Sequence, residues 1–126
     1  MDGSILNDIK KLIGIKSTDI NYDTDIIIFI NSVFTDLNQM GVGPSDKPYS
    51  ITDDKNKWSE FVEEGMLENV KKYIYLRVKV VFDPPTNSFL LNSMKEETKE
   101  MEWRLNVRGE SIKEKINKDN YRDWIR

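Results

Sequence analysis

Apolar residues in the first forty positions recur at the spacing of amphipathic helices. Ser4 suits a helix N-cap, and the apolar residues that follow it as far as Gly14 predict a short first helix. A second helix is predicted to begin near Asp23–Asp25 and to end at Gly41, with an apolar stripe of Ile26, Ile30, Val33, Leu37 and Met40. The β-branched run at 26–28 would also suit a strand, but the apolar spacing continues for about four turns and therefore favours a helix.

Two longer helices are predicted in the second half of the chain. Residues 41–57 are rich in Gly, Pro, Ser, Asp and Lys and indicate a long loop or a short irregular hairpin, after which Trp58 opens a short helical turn. A third helix is predicted after Gly65, with an apolar face of Leu67, Val70, Tyr73, Ile74, Val78 and Val81. It ends at residues 83–85 because proline lacks an amide donor. A fourth helix is predicted to begin near Asn87 or Ser88 and to end at Gly109, with a stripe of Leu91, Met94, Thr98, Met101 and Leu105.

The last stretch of the chain, residues 110–126, has too few apolar residues to fold by itself. Its apolar side chains are Ile112, Ile116, Tyr121, Trp124 and Ile125, set among charges. It is either a frayed terminal helix or an arm that becomes ordered against a partner, and the aromatic residues favour the arm. The predicted fold is therefore an all-α bundle of about four helices with a long loop, a domain at 1–109 and an extended or helical arm at 110–126.

Composition narrows the possible chemistry. The chain has no Cys and no His, which excludes disulfides, thiolate zinc sites and the usual general base. The carboxylate pairs at 23–25 and 53–54 lack the continuation of a calcium loop, and no phosphate-binding glycine loop is present. We therefore expect no enzymatic activity, no metal and no cofactor. The longest apolar run, Ile26–Ile30, is too short to span a membrane, so we expect synthesis in the cytoplasm.

A low share of hydrophobic residues, 38% against 33% charged residues, predicts a thin core that favours assembly.

Three residues also break the helical patterns. Arg77 falls inside the apolar arc of the third helix, where it either snorkels to solvent or pairs with an acid of another helix or subunit, with Glu100 and Glu102 as candidates. Ile28 and Trp103 fall outside the apolar stripes of their helices, where each is either an ordinary exposed hydrophobic residue or a subunit contact.

Several segments together resemble the head-tail connector (adaptor, or head completion) proteins of tailed bacteriophages. The resemblance covers about residues 4–106. Its most specific part is a Tyr/Leu/Val helix ending in Phe-Asp-Pro-Pro, followed some twenty residues later by a Glu-Trp-Arg-Leu helix. The segments are DTDIIIFINSVFTDLNQMGVGP at 23–44, Trp58 with Phe61, VKKYIYLRVKVVFDPP at 70–85, and EWRL at 102–105.

The resemblance implies a structural subunit of the virion neck. Such subunits form a homo-oligomeric, typically dodecameric, ring beneath the portal protein. The ring continues the DNA channel without binding DNA specifically and presents a platform to the next neck or tail protein. Ring formation needs two different contact faces on each subunit, for which Ile28, Arg77 and Trp103 are the candidates. In related rings the C-terminal segment docks on the portal, which makes Tyr121, Trp124 and Ile125 candidate anchors; Asp46, Asp53 and Asp54 are candidates for the channel lining.

Two other classes of protein fit the same composition. A non-viral helical adaptor would bind a partner protein as a monomer or dimer. A weak nucleic-acid-binding module would use Lys71, Lys72 and Lys79 with Tyr75, although the net charge of −3 and the scattered lysines argue against tight DNA binding.

Overall fold

Four α-helices make up most of the described chain. A computed structural model describes residues 3–44 and 48–125, with side chains as far as residue 107. The helices are α1 (Ile5–Leu12), α2 (Asp23–Gln39), α3 (Leu67–Phe82) and α4 (Ser88–Ile125), and 3-10 turns at Trp58–Glu60 and Glu64–Met66 precede α3. Within those described ranges there is no β-strand, only an isolated antiparallel bridge between Ser4 and Lys57. The predicted all-α fold is confirmed.

The predicted helix boundaries follow from local signals. Ser4 caps α1, with its Oγ accepting a hydrogen bond from the Asn7 amide at 3.2 Å. Gly14 and Gly41 follow α1 and α2 with φ of 87°, as expected for residues that end helices. Asn87 caps α4, with its Oδ1 accepting hydrogen bonds from the amides of Phe89 at 2.8 Å and Leu90 at 3.3 Å.

Helix α3 is the centre of the bundle and contacts each of the other three helices. Most of its predicted face is buried, and Leu76 is buried as well. Val81 was expected in the core but is 60% exposed. Val81 lies in the last turn of α3, where it faces solvent while the neighbouring Phe82 is partly buried against the ring of Tyr22.

A fully buried lysine holds the connection between α1 and α2. The Nζ atom of Lys10 donates hydrogen bonds to the carbonyl oxygens of Ser17 at 3.2 Å and Asp19 at 2.7 Å, and it lies 2.7 Å from Oδ1 of Asp23. A buried ammonium group is tolerated only when its donors are satisfied. Lys10 therefore fixes the loop against the start of α2.

Trp58 fixes the first 3-10 turn between α1 and α3. Its indole is buried, and its Nε1 donates a hydrogen bond to Oδ2 of Asp8 at 2.7 Å. The Nζ atom of Lys71 lies 3.5 Å from the same carboxylate oxygen and 5.4 Å from the centre of the indole ring. The long loop thus returns to the bundle at a position set by charge and by aromatic packing.

Helix α4 does not end at Gly109 as predicted. Its backbone is helical from Ser88 to Ile125, so the C-terminal segment continues the helix. A glycine in a helix interior costs only about 1 kcal/mol relative to alanine, which does not end a helix flanked by good helix formers. At 1.5 Å per residue α4 is about 57 Å long, whereas α3 is about 24 Å long. The division into a domain at 1–109 and an arm at 110–126 stays a prediction.

Candidate assembly surfaces

The outward side of α2 carries Ile28. This side chain is 58% exposed and lies about half a turn from the buried residues Ile26 and Ile30. Its side of the helix, which we call the α2 outer face, consists of the exposed residues Thr24, Asp25, Ile28, Ser32, Thr35 and Gln39. Ile28 is therefore available for a contact outside the described chain, and its role in a subunit interface remains a prediction.

The outward side of α4 carries Trp103. Its indole is 68% exposed, whereas Met101 and Leu105 on either side of it in sequence are buried. Phe89 and Val107 lie on the same side of the helix and are 76% and 41% exposed. We call Phe89, Trp103 and Val107 the α4 outer stripe. The interface role predicted for Trp103 is likewise untested.

Arg77 pairs with an acid of another helix, as one of its two interpretations expected, but the partner is neither Glu100 nor Glu102. Its Nη2 lies 2.8 Å from Oδ2 of Asp36 on α2, and its Nη1 donates a hydrogen bond to the Tyr73 hydroxyl at 2.8 Å. The guanidinium also lies 5.6 Å from the centre of the Tyr73 ring. Arg77 therefore joins α2 to α3 within one chain, and any contact with a neighbouring subunit would use an already paired side chain.

The environment of this pair shifts two ionisation equilibria. Burial raises the pKa of the Tyr73 phenol, and the neighbouring Arg77 only partly opposes that effect. Burial by itself lowers the pKa of Arg77, but its contacts with Tyr73 and Asp36 outweigh the effect and raise it. Arg77 is therefore charged and Tyr73 neutral throughout the physiological pH range.

The loop between α2 and α3 is held at several points. Asn31 on α2 accepts a hydrogen bond from the Ile51 amide at 2.7 Å and donates one to the Ile51 carbonyl at 3.0 Å. Tyr49 packs against Phe34 and Phe61, with ring centroids 5.2 and 5.1 Å away, and its hydroxyl donates to Oε2 of Glu60 at 2.9 Å. The loop is therefore an ordered part of the bundle wherever it is described.

The acidic residues of this loop face solvent. Asp53 and Asp54 are exposed in a turn closed by Asn56, whose Oδ1 accepts a hydrogen bond from the Thr52 amide at 2.9 Å. Asp46, the third candidate for a channel lining, lies outside the described residues. The exposure of Asp53 and Asp54 allows a lining role without testing it.

The candidate portal anchors lie at the end of α4. The backbone at Tyr121, Trp124 and Ile125 is helical, but their side chains lie outside the described part of the structure. The prediction that they contact a portal therefore stays a prediction.

Comparison with known proteins identifies the family. A model of the phage connector protein family matches residues 5–111, which is most of the chain and includes all of α1, α2 and α3. The chain belongs to the phage connector protein family. This finding confirms the resemblance seen in the sequence segments. No curated protein and no solved structure gave a significant match.

Membership of the connector family gives the protein a general role as a structural component of the phage neck. The family match ends at residue 111, and most of the segment predicted as an arm follows it. The family match thus covers the first three helices and part of α4, whereas the last fifteen residues lie beyond it.

The alternative interpretation as a nucleic-acid-binding module finds little support in the geometry of this connector. Lys71 pairs with Asp8 at 3.5 Å and Lys79 with Asp83 at 2.8 Å. Lys72 forms an ion pair with Glu97 of α4. Each of the three predicted phosphate-binding lysines therefore has an acidic partner within the chain, which reduces the electrostatic attraction of this surface to DNA.

The described residues contain no group of three or more Asp and Glu side chains placed to hold a metal ion. None of the helices, as far as they are described, has a stretch apolar and long enough to cross a membrane.

Two members of the exposed surfaces, Phe89 and Val107, were not among the contact residues predicted from the sequence. The spacing of Phe89, Glu96 and Trp103 was available as a signal, because residues seven positions apart share one side of a helix.

Proposed function

We propose that this connector forms a closed homo-oligomeric ring, dodecameric by its resemblance to related rings, between the portal and the tail of the virion. The observation that carries the proposal is the exposure of Ile28 on α2 and Trp103 on α4, two helices that pack on the same central helix. Each side chain points away from the core, so one chain offers two separate contact sites. A ring requires two different faces on every subunit, whereas a symmetric dimer uses one face twice.

The proposed channel is consistent with the charge of the chain. Its net charge is −3, and residues 1–40 carry three lysines against six aspartates. A basic lining would bind the phosphate backbone and hinder passage of the genome. The exposed carboxylates of Asp53 and Asp54 would repel DNA instead, and we propose that the loop carrying them, with Asp46, faces the channel.

We also propose that the end of α4 binds the portal through Tyr121, Trp124 and Ile125. The support is the long continuous helix, which has more than twice as many residues as α3 and so cannot be covered by it along its whole length. Aromatic side chains are the residues most often found at the energetic centre of protein interfaces. The next neck or tail protein would then bind the opposite side of the ring.

Co-sedimentation with purified portal protein tests this function. The full chain should sediment with the portal, and a chain lacking residues 110–126 should lose portal binding while keeping the helical circular dichroism of its core. Trp124→Ala is the milder variant, and Asn117→Ala in the same segment is its matched control. Portal affinity unchanged by the deletion would contradict the docking role, and failure of the full chain to bind any portal of its own phage would contradict the proposed function.

Enzymatic activity has no place in this proposal. Connectors are a structural family, and the missing His and Cys remove the commonest catalytic side chains. The ring acts through shape, charge and contact surfaces.

A further inference from the structure

One end of the bundle carries most of the large apolar side chains that face solvent. Tyr22 at the start of α2 and Phe82 at the end of α3 place their rings edge to face, with centroids 5.3 Å apart. The loop between α1 and α2 therefore lies beside the connection between α3 and α4. Of the nine large hydrophobic side chains exposed among the described residues, five lie in these two segments, and we call them the apolar end: Ile20, Tyr22, Val81, Phe89 and Leu90. A concentration of exposed apolar side chains is a mark of an interaction site.

The connection between α3 and α4 contributes a segment with very little charge. Residues 80–93 contain one charged residue, Asp83, which is paired with Lys79 at 2.8 Å. The whole chain has 33% charged residues, so this segment is strongly depleted of charge. Depletion of charge is a mark of surfaces that become buried between proteins, because a buried unpaired charge loses its hydration.

The loop between α1 and α2 carries its free charges at its edges. Residues 15–25 contain four charged residues, Lys16, Asp19, Asp23 and Asp25. Asp19 is half-buried and accepts a hydrogen bond from a backbone amide of the loop at 3.1 Å, and Asp23 is paired with the buried Lys10. Lys16 and Asp25 are exposed and flank Ile20 and Tyr22 in sequence. An apolar centre with a polar rim is the usual composition of a protein interface.

Both segments of the apolar end are held in position by the bundle. The fully buried Lys10 donates hydrogen bonds to two carbonyl groups of the loop that carries Ile20 and Tyr22. The side-chain cap of Asn87 fixes the start of α4 directly before Phe89. A surface that already has its bound shape loses less conformational entropy when a partner binds. The apolar end is therefore a preformed surface.

The direction of α4 decides which partner the apolar end meets. Residues from the middle of α4 line a cavity together with residues at the start of α3: Met101, Arg104 and Leu105 with Gly65, Met66 and Asn69. Helix α4 therefore runs antiparallel to α3, and its residues 106–125 extend about 30 Å beyond the start of α3. The portal anchors proposed above lie at the tip of this extension. The apolar end, at the opposite end of the bundle, therefore faces away from the portal.

We propose that the apolar end binds the next neck or tail protein, through a surface of that protein that is itself apolar and poor in charge. This inference rests on the proposed function, because docking of α4 on the portal sets the orientation of the chain. In a ring the apolar end is repeated once per copy on the side away from the portal. The partner thus meets a circle of identical apolar surfaces around the channel.

Complementation of a phage whose own connector gene is interrupted tests this inference. The host supplies the full chain with its natural sequence, with Ile20→Glu, with Phe89→Glu, or with both substitutions. These side chains are 72% and 76% exposed, so a glutamate in their place leaves the core intact, and at Phe89 it also suits the first turn of a helix. Ser50→Glu, at an exposed position of the loop between α2 and α3, is the matched control. An added acid there agrees with the proposed channel.

The expected result separates the two sides of the ring. All purified variants should show the helical circular dichroism of the natural chain. In electron micrographs, heads made with Ile20→Glu or Phe89→Glu should carry the ring on the portal but lack tails. The plaque titre should fall more than about tenfold, as expected when a central contact of an interface is lost. The double variant should fall further, and Ser50→Glu should match the natural chain.

The results that would overturn the inference are distinguishable. Normal tails and titre with the double variant, or an equal loss with Ser50→Glu, would refute docking at the apolar end and leave the proposed ring intact. Rings missing from heads made with the double variant alone would show that the apolar end contacts the portal or another copy instead. Rings missing from heads made with the natural chain would refute the proposed function and this inference together.

Discussion

Gly43 lets the long loop pack closely against the ring of Phe61. Replacing this glycine with alanine is expected to destabilise the bundle strongly. The residue has φ of +100°, where an alanine costs about 1–2 kcal/mol. Its new Cβ would also lie 2.8 Å from Cζ of Phe61 and closer still to Cε2. Phe61 is buried against Phe34 and Tyr49, so moving its ring adds about 1–3 kcal/mol of packing strain. The expected total is about 2–5 kcal/mol.

Gly14→Ala is the matched control for this substitution. Gly14 has φ of +87°, but an added Cβ there meets no atom within 4 Å. It should therefore show the backbone cost of about 1–2 kcal/mol alone. Urea denaturation followed by circular dichroism gives both free energies of unfolding by linear extrapolation. Equal destabilisation by Gly43→Ala and Gly14→Ala would refute the close packing of Phe61 against the loop.

Three further predictions concern the contacts that hold the helices and the loop. Asn31→Ala leaves the buried amide and carbonyl of Ile51 without their partner, which should lower the free energy of unfolding in urea by about 2–4 kcal/mol. It should also speed hydrogen exchange of the Ile51 amide. Unchanged exchange would contradict the contact. A double-mutant cycle of Arg77→Met and Asp36→Asn should give a coupling energy of about 1–2 kcal/mol, whereas additive effects would show that the pair contributes nothing. Burial and the bond to Glu60 raise the pKa of the Tyr49 phenol above its usual value of 10.0, so the neutral form is favoured in the folded state and stability should fall as the pH rises above about 10. Tyr49→Phe should lessen that alkaline loss, and an identical pH dependence in both chains would refute the assignment.

The sequence specified the helices well because their signals are local. Capping by Ser4 and Asn87, the glycines after α1 and α2, and the proline pair after α3 act within one turn of the residue concerned. Gly109 was misjudged because a glycine is a weak helix breaker when its neighbours favour a helix.

Features that depend on packing between helices could not be predicted from the sequence. Arg77 was recognised as needing a partner, but the choice of Asp36 over Glu100 or Glu102 depends on how α2 crosses α3. The burial of Lys10 depends on two carbonyl groups of a loop that folds back over it. Exposure of Ile28 and Trp103 was expected from periodicity and is observed, whereas their contact with another subunit is a property of the assembly.

Imaging of the connector bound to its portal by cryo-electron microscopy is the most direct test of the central claim. We expect a closed ring, coaxial with the portal, whose central opening continues the portal channel. Replacing Trp103 with glutamate should prevent ring closure. Monomers or dimers scattered on the portal surface, or a ring whose opening is blocked by protein, would contradict the proposed ring.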